Sequence, residues 1–519
     1  MAKLLLAIDS GTTSTRALAF DRAGRVVASV ARPLPQVFPA PGWVEHDAAA
    51  IRDLTREAAE AVVAEVGAEA IAAVGLANQR ETAVAWDRET GVPLAPALVW
   101  QDRRTADRCE ALRAAGHEAL VQERTGLLLD PYFSATKWAW MLAEVPEVAA
   151  AAAAGRLALG TVDSWLLFAL SAERVHATDP TNASRTLLMD LAAGAWDPAL
   201  CDLFSVPAAA LPAIRPSVGR VATVRLGGQA IPVTGVAGDQ QAAAVGQGCL
   251  APGEAKSTYG TGIFLLVASG GAVPRSASRL LATRAAAERG PAFALEGSVF
   301  VGGDAVKWLR DRLGLIGTAA ETEALAASVP DSGGVVLVPA FAGLGAPWWE
   351  PRATGLLTGL SGATSRAHLA RAVLEAMGNQ TADLVEAFAR DGVSPSVLKV
   401  DGGMVANDWL CQDLADATGL EVVRPETVET TALGAAMLAA VGAGLVPDLA
   451  TAAARMVRTD RRFRPAADRA ARAARRAGWR RAVAQVLAGI RAGGDVAGGD
   501  VAGGDVAGGD VAGGPRPGA

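Results

Sequence analysis

Residues 8–21 read IDSGTTSTRALAFD, and residues 257–271 read STYGTGIFLLVASGG. Each stretch is an apolar run, a Gly/Thr turn and a second apolar run, the pattern of a β-hairpin. The letters match weakly but the pattern repeats, one copy near the start of each half of the chain. It predicts an α/β protein of two similar domains, residues 1–249 and 250–490, with a cleft between them. Around the first copy, residues 4–8, 17–20 and 26–30 are expected to form three antiparallel strands. Residues 48–66 have helical spacing, and 71–77 and 83–86 are further strands. In the second half, Val335 to Pro339 predicts a strand and Arg366 to Arg390 a long helix. LKVDGGMVAND (398–408) reads as strand, Gly-Gly turn and helix.

The 519 residues suffice for two or three domains at ~100–200 residues each. A net charge of −6 argues against a nucleic-acid partner, which would favour a basic surplus. One basic cluster, Arg455 to Arg481, is interleaved with alanine and reads as a solvated helix. The cysteines (109, 201, 249, 411) and histidines (46, 117, 176, 368) are scattered, which excludes a zinc ribbon or a disulfide framework. MAKLLLAIDSG is no signal peptide, because its apolar run is short and meets Asp9 at once. No run approaches the ~18 apolar residues of a membrane span, so a cytoplasmic protein is expected. Residues 491–519, with GGDVA repeated over 493–514, are expected to be disordered for want of apolar surface to bury.

Four short stretches carry candidate chemistry. In DSGTTSTR (9–16) the Gly-Thr-Thr turn is either an ordinary hairpin or a cradle of N–H and hydroxyl donors for phosphate, with Arg16 adding charge. Asp9, at a strand end, is placed to hold Mg²⁺ through water. There is no G-x-x-x-x-G-K-[ST] loop and no strand-borne G-x-G-x-x-G. In VAGDQQAAAVGQG (236–248), Asp239 opens an Ala-rich helix, as a cap or as a proton acceptor for a hydroxyl. In VDGGMVAND (400–408), Gly402 and Gly403 either make a tight turn or let a nucleotide lie close, with Asn407 nearby. In LANQRETAVAWD (76–87) a buried strand is expected to surface for five polar residues; Arg80 and Glu81 are a local ion pair or a grip on a ligand.

With VWQDRRT, TGLLLDPYFSATK, TDPTNASRTLL, STYGTG, VPAFAGLGAPWW and ETTALGAA, these stretches resemble the FGGY carbohydrate kinases of the actin-like ATPase superfamily, above all the members acting on glycerol. The resemblance covers about residues 5 to 440. It implies two RNase H-like (actin-like ATPase) domains flanking a central cleft, and ATP-dependent phosphorylation of glycerol to sn-glycerol 3-phosphate. The alternatives are a kinase of erythritol, threitol or xylulose, or a catalytically silent actin-like protein. It implies that Arg80, Glu81, Tyr132, Asp239 and Gln240 bind the polyol, with Trp100 and Phe264 against its carbon face. Thr12, Thr13, Ser14 and Arg16, then Thr261, Gly303, Lys307, Gly403 and Asn407, would take the nucleotide. Asp239 becomes the catalytic base, and Asp9 and Asp239 the Mg²⁺ residues. ATP, Mg²⁺ and glycerol are the implied ligands, and a homo-oligomer, dimer or tetramer, the implied state.

Overall fold

The structure, a computed structural model, describes residues 3–494. Two sheets organise it. The first runs Val218–Leu226, Gln229–Gly238, Ile71–Asn78, Leu4–Ser10, Ser14–Phe20, Val26–Pro33. The second runs Leu281–Arg284, Phe293–Val299, Ile263–Gly270, Glu254–Tyr259, Val397–Asp401, Glu421–Pro425, Thr459–Phe463. In each sheet the hairpin that opens the half pairs antiparallel with a third strand. The hairpin's first strand is flanked on its other side by two strands parallel to it and to each other. The hairpin echo in the sequence is therefore a repeat of sheet topology, as RNase H-like halves require.

The first strand shows why its sequence is apolar at nearly every position. Leu4, Leu6 and Ile8 face one core with the helix Ala48–Val66, whereas Leu5 and Ala7 face another with the helix Thr430–Gly442. A strand covered on both faces reads as a continuous hydrophobic run rather than an alternation. The second cover comes from the other half of the chain. It fits because small residues let backbones touch: a Cβ on Gly75 would stand 2.0 Å from the Ala435 carbonyl oxygen, and one on Gly235 2.5 Å from the Ala439 nitrogen.

Several local expectations need correcting. Arg455 to Arg481 is not one solvated helix: it contains the helix end at Met456, the strand Thr459–Phe463 and the start of the helix Arg469–Gly494. Arg475 pairs with Asp413, Arg476 with Asp383, and Trp479 is buried; acids on neighbouring helices drew these arginines inward. The last helix also takes residues 491–494, assigned above to the tail, and the remaining repeats (495–519) lie outside the described residues. Among the described residues no helix is long and apolar enough to cross a membrane.

Candidate active site

Parallel strands of an open α/β sheet present ligands at their carboxyl ends. In the first sheet those ends lie in one row, Ser10 beside Asn78 and Asn78 beside Gly238. Asp9, the 79–82 segment and Asp239 are thereby brought together by backbone pairing alone. In the second sheet Tyr259 and Asp401 end the corresponding strands. There Gly402 has φ +93°, and a Cβ on it would lie 2.5 Å from the Tyr259 oxygen, so glycine alone permits the approach.

The polar interval 78–82 does not surface: Asn78, Gln79, Arg80, Glu81 and Thr82 are all buried. Each is held by the protein. Asn78 bonds Asn182 (2.9 Å), Gln79 Nε2 donates to the Gly11 carbonyl (3.0 Å), and Thr82 Oγ1 donates to Gln79 Oε1 (2.8 Å). Arg80 donates from Nη1 to Glu296 Oε2 (2.6 Å) and from Nη2 to Glu296 Oε1 (3.1 Å), and its Nε lies 3.2 Å from Asp239 Oδ1. Glu81 sits at φ +61°, a conformation costing roughly 1–3 kcal/mol. Ser134 Oγ holds its carbonyl (3.0 Å) and Arg185 Nε its Oε1 (2.6 Å).

Asp239 is not the cap of its helix. Gly238 occupies that position, and Asp239 is the first residue of Asp239–Gly246, its Oδ1 accepting from the Gln240 N–H (2.7 Å). Glu81 Oε2, Asp239 Oδ2 and the Tyr132 hydroxyl have no hydrogen-bond partner among the described residues, so two acceptors and one group of either kind are left for a ligand. Trp100 stands edge-on to Tyr132 (centroids 5.7 Å apart) and to Phe264 (6.2 Å), and donates from Nε1 to Thr12 Oγ1 (2.9 Å). These three rings and Thr261 line a cavity of about 700 Å³ that Arg80, Glu81 and Asp239 do not line.

Charge explains the titration shifts. Burial pushes Asp9 up to about 7, with Asp239 and Glu429 adding to the rise and Arg16 opposing it. Burial also raises Glu81 despite Arg80 and Arg185. Burial works against Glu296 as well, but Arg185 and Arg80 outweigh it and hold its carboxyl at about 2.

Around the two hairpin turns, Gly11 N–H donates to the Ser14 carbonyl (3.0 Å) and Gly260 N–H to that of Gly262 (3.0 Å). Thr12, Thr13 and Ser14 line the first turn. Gly303 packs on the second, its N–H donating to the Gly260 carbonyl (2.8 Å), while Gly302 N–H donates to that of Thr261 (2.7 Å). Lys307 pairs with Asp304 (2.8 Å) and reaches Thr261 Oγ1 (3.4 Å). A side chain on Gly403 would meet open space. Two expected nucleotide residues are already engaged. Arg16 is bound to Glu429, and Asn407 caps the helix Asp408–Thr418 through Leu410 N–H (2.8 Å) while donating to Thr322 (3.2 Å).

Three residues at this site escaped sequence reasoning: Arg185, Glu296 and Lys256. Lys256 is fully buried, donating to Gln240 Oε1 and to Thr258 Oγ1 (2.7 Å). The signal for Glu296 was a single acid inside the apolar run FALEGSVF, since a lone buried charge must have a partner.

Among the described residues no three His, Cys, Asp or Glu side chains converge on a metal site. Asp9 and Asp239 are two hard oxygen donors close enough to repel each other. That set fits Mg²⁺, which usually takes one or two carboxylates, water and substrate phosphates rather than a protein cage.

The chain matches the N-terminal domain model of the FGGY family of carbohydrate kinases over residues 4–246 and the C-terminal domain model over residues 255–443. It is 53% identical over 495 residues to a glycerol kinase of Rhodospirillum rubrum (94% of this chain, 99% of the relative). It is 54% identical over 488 residues to one of Alcanivorax borkumensis (93% and 98%). Among solved structures it resembles Plasmodium falciparum glycerol kinase with ADP (TM-score 0.87, 33% identity, 94% and 98% covered). It also resembles a xylulose kinase from Rhodospirillum rubrum (TM-score 0.81, 27% identity, 94% and 99% covered). By strand order, by strand-end residues and by similarity over nearly its whole length, the chain belongs to the FGGY family of carbohydrate kinases.

Proposed function

We propose that the chain transfers the γ-phosphoryl group of ATP to glycerol, giving sn-glycerol 3-phosphate and ADP. The observation that carries this reading is the set of unpartnered oxygens, Glu81 Oε2, Asp239 Oδ2 and the Tyr132 hydroxyl, beside Arg80 and next to an aromatic wall. A triol offers three hydroxyls and little apolar area, and each hydroxyl left unpaired in a buried site costs ~1–3 kcal/mol. Glu81 and Asp239 accept, Tyr132 does either and Arg80 donates, while Trp100 and Phe264 take the carbon face. Gln240, next to Asp239, would offer its Nε2 to the polyol while its Oε1 accepts from Lys256. The full-length similarity to proteins named glycerol kinase favours the same substrate.

In this reading Asp239 orients the primary hydroxyl and accepts its proton as the oxygen attacks phosphorus in line with the departing ADP. Thr12, Thr13, Ser14 and Arg16 on one side, and Thr261, Gly303 and Lys307 on the other, receive the phosphates; Gly403 and Asn407 border the nucleoside. Mg²⁺, held by Asp9 through water and by Asp239, supplies charge neutralisation at the phosphates when bound. Residues 1–249 then carry the first phosphate loop and the polyol site, to which Phe264 is added from residues 250–490, and 250–490 carry the nucleotide. A cytoplasmic homo-oligomer, dimer or tetramer, belongs to the same reading and is checked by light scattering.

A wider polyol range is the second reading, favoured by the 700 Å³ cavity beyond the aromatic wall. ADP release measured with glycerol, erythritol, threitol and xylulose decides between the two. A kcat/KM highest for glycerol supports the first, and one highest for a longer polyol overturns it.

A further inference from the structure

Four buried charges form a closed chain across the two halves of the molecule. Glu296 belongs to the strand Phe293–Val299 of the second sheet; Arg80, Glu81 and Arg185 belong to the first half. Glu296 accepts from Arg80 Nη1 (2.6 Å) and Nη2 (3.1 Å), from Arg185 Nη2 (2.9 Å) and from Ser298 Oγ (3.2 Å). Arg185 closes the chain by donating from Nε to Glu81 Oε1 (2.6 Å), and its guanidinium carbon lies 5.6 Å from the Tyr132 ring centroid and 5.3 Å from that of Phe133. Arg185 and Glu296 are both 0% exposed, and Arg185 Nη1 is buried without a partner.

Stability does not explain such a cluster. Burying two guanidinium and two carboxylate groups incurs a desolvation penalty that apolar residues of the same volume would avoid, and the unpaired Nη1 adds to it. Positional constraint does explain it. A charged ring with fork-to-carboxylate geometry fixes direction as well as distance; two of its members, Arg80 and Glu81, are themselves assigned to the polyol, and Arg185 lies against a third such residue, Tyr132. Arg80 is held in two places by Glu296, Glu81 keeps one oxygen occupied so that the other stays open, and Tyr132 rests near the guanidinium of Arg185.

We propose that Glu296 and Arg185 are positioning residues for polyol recognition, acting through Arg80, Glu81 and Tyr132, so that the second half of the chain supplies an indispensable part of the polyol site. The inference rests on the polyol-kinase reading above. Neither residue performs chemistry, and neither belongs to the phosphate loops, so its loss should be felt at the polyol and not at the nucleotide.

The test compares wild type, E296Q and R185K in a coupled ADP-release assay, varying glycerol and MgATP separately, with melting curves taken with and without saturating glycerol or ADP. E296Q keeps the shape of the side chain and loses its charge; R185K keeps the charge and loses the fork. A misplaced first contact commonly costs about 10–100-fold, and KM for glycerol should rise by that much in both variants. KM for MgATP should stay within about twofold, and ADP should still raise the melting temperature while the rise with glycerol shrinks. Glycerol KM unchanged in both, or glycerol and MgATP KM rising in parallel, overturns the proposal; if E296Q does not fold, R185K alone decides. Should the wild type turn over another polyol and not glycerol, the substrate reading fails, and the same KM ratio is measured with that polyol.

Discussion

Arg16 and Glu429, 413 residues apart, meet in a bidentate pair, with Nη1 2.9 Å from Oε1 and 2.7 Å from Oε2. It ties the first hairpin to the residue preceding the helix Thr430–Gly442. Both side chains are partly exposed, so the pair adds only ~0–1 kcal/mol to stability. A phosphate chain is therefore able to draw Arg16 away from it. E429Q should leave the melting temperature nearly unchanged and tighten ATP, whereas R16A should weaken it; calorimetric titration reads both. An ATP affinity that E429Q leaves untouched would show that Arg16 does not turn to the phosphates.

Asp239 is the only member of the polar set at a helix start with a partly exposed carboxylate, and its free Oδ2 is the assigned proton acceptor. D239N should lower kcat by ~10²–10⁴ while ADP binding persists. Because the amide leaves Arg80 with Glu296 as its main partner, the fold should survive the change. Turnover near the wild-type value would remove Asp239 from the mechanism.

Acid should remove two stabilising contributions, while Asp9 and Asp163, both raised by burial to about 7, work in the opposite direction as pH falls from there toward 3.8. Burial lowers His176 to about 4, against the Leu159 carbonyl and with help from Arg88, whereas the unfolded chain titrates near 6.5. Between these values the unfolded state binds the proton and the native state does not, so the contribution of His176 is full above 6.5 and is lost as pH drops toward 4. The loss is on the order of 3 kcal/mol. Glu296, held at about 2 against an ordinary 4.5, adds a second loss as pH falls from 4.5 toward 2. Denaturant melts of H176Q should lack the first loss; an unaltered profile between pH 7 and 4 assigns it elsewhere.

Gly434 is inside a helix, where alanine ordinarily gains ~1 kcal/mol over glycine. Here the sign should reverse. The added methyl would stand 1.8 Å from the Ala242 carbonyl oxygen, and a backbone cannot turn aside as a flexible side chain does. G434A should cost ~1–3 kcal/mol or more, seen as a lower melting temperature. A variant as stable as the wild type would mean that the two helices have slack.

What was legible follows from how local each signal is. Ala48–Val66 and Arg366–Arg390 were bounded correctly because Asp47 and Ser365 cap them and their apolar spacing is regular. The two hairpins were legible because each is complete within seventeen residues, 4–20 and 254–270. The location of 78–82 was not, since five polar side chains in a row read as surface until their partners, brought from Gly11, Asn182, Arg185 and Glu296, are in place. Arg80, Glu81, Tyr132 and Asp239 were named through resemblance; Arg185 and Glu296 were missed because their partners are distant in sequence. Asn407, read from the sequence beside a ligand, uses its Oδ1 to cap the helix Asp408–Thr418 and its Nδ2 to reach Thr322, a partner 85 residues away that no local pattern announces.

The helix Thr430–Gly442 covers one face of a sheet whose first strand begins at Leu4. During synthesis, at ~5–20 residues per second, that face must wait for most of the chain to leave the ribosome. A gene severed near codon 250 would yield a first fragment with Leu5, Leu18 and Phe20 uncovered, prone to stick to itself and rescued only when its complement is produced alongside. Division of the protein by sheets and division by viable fragments are therefore two different partitions.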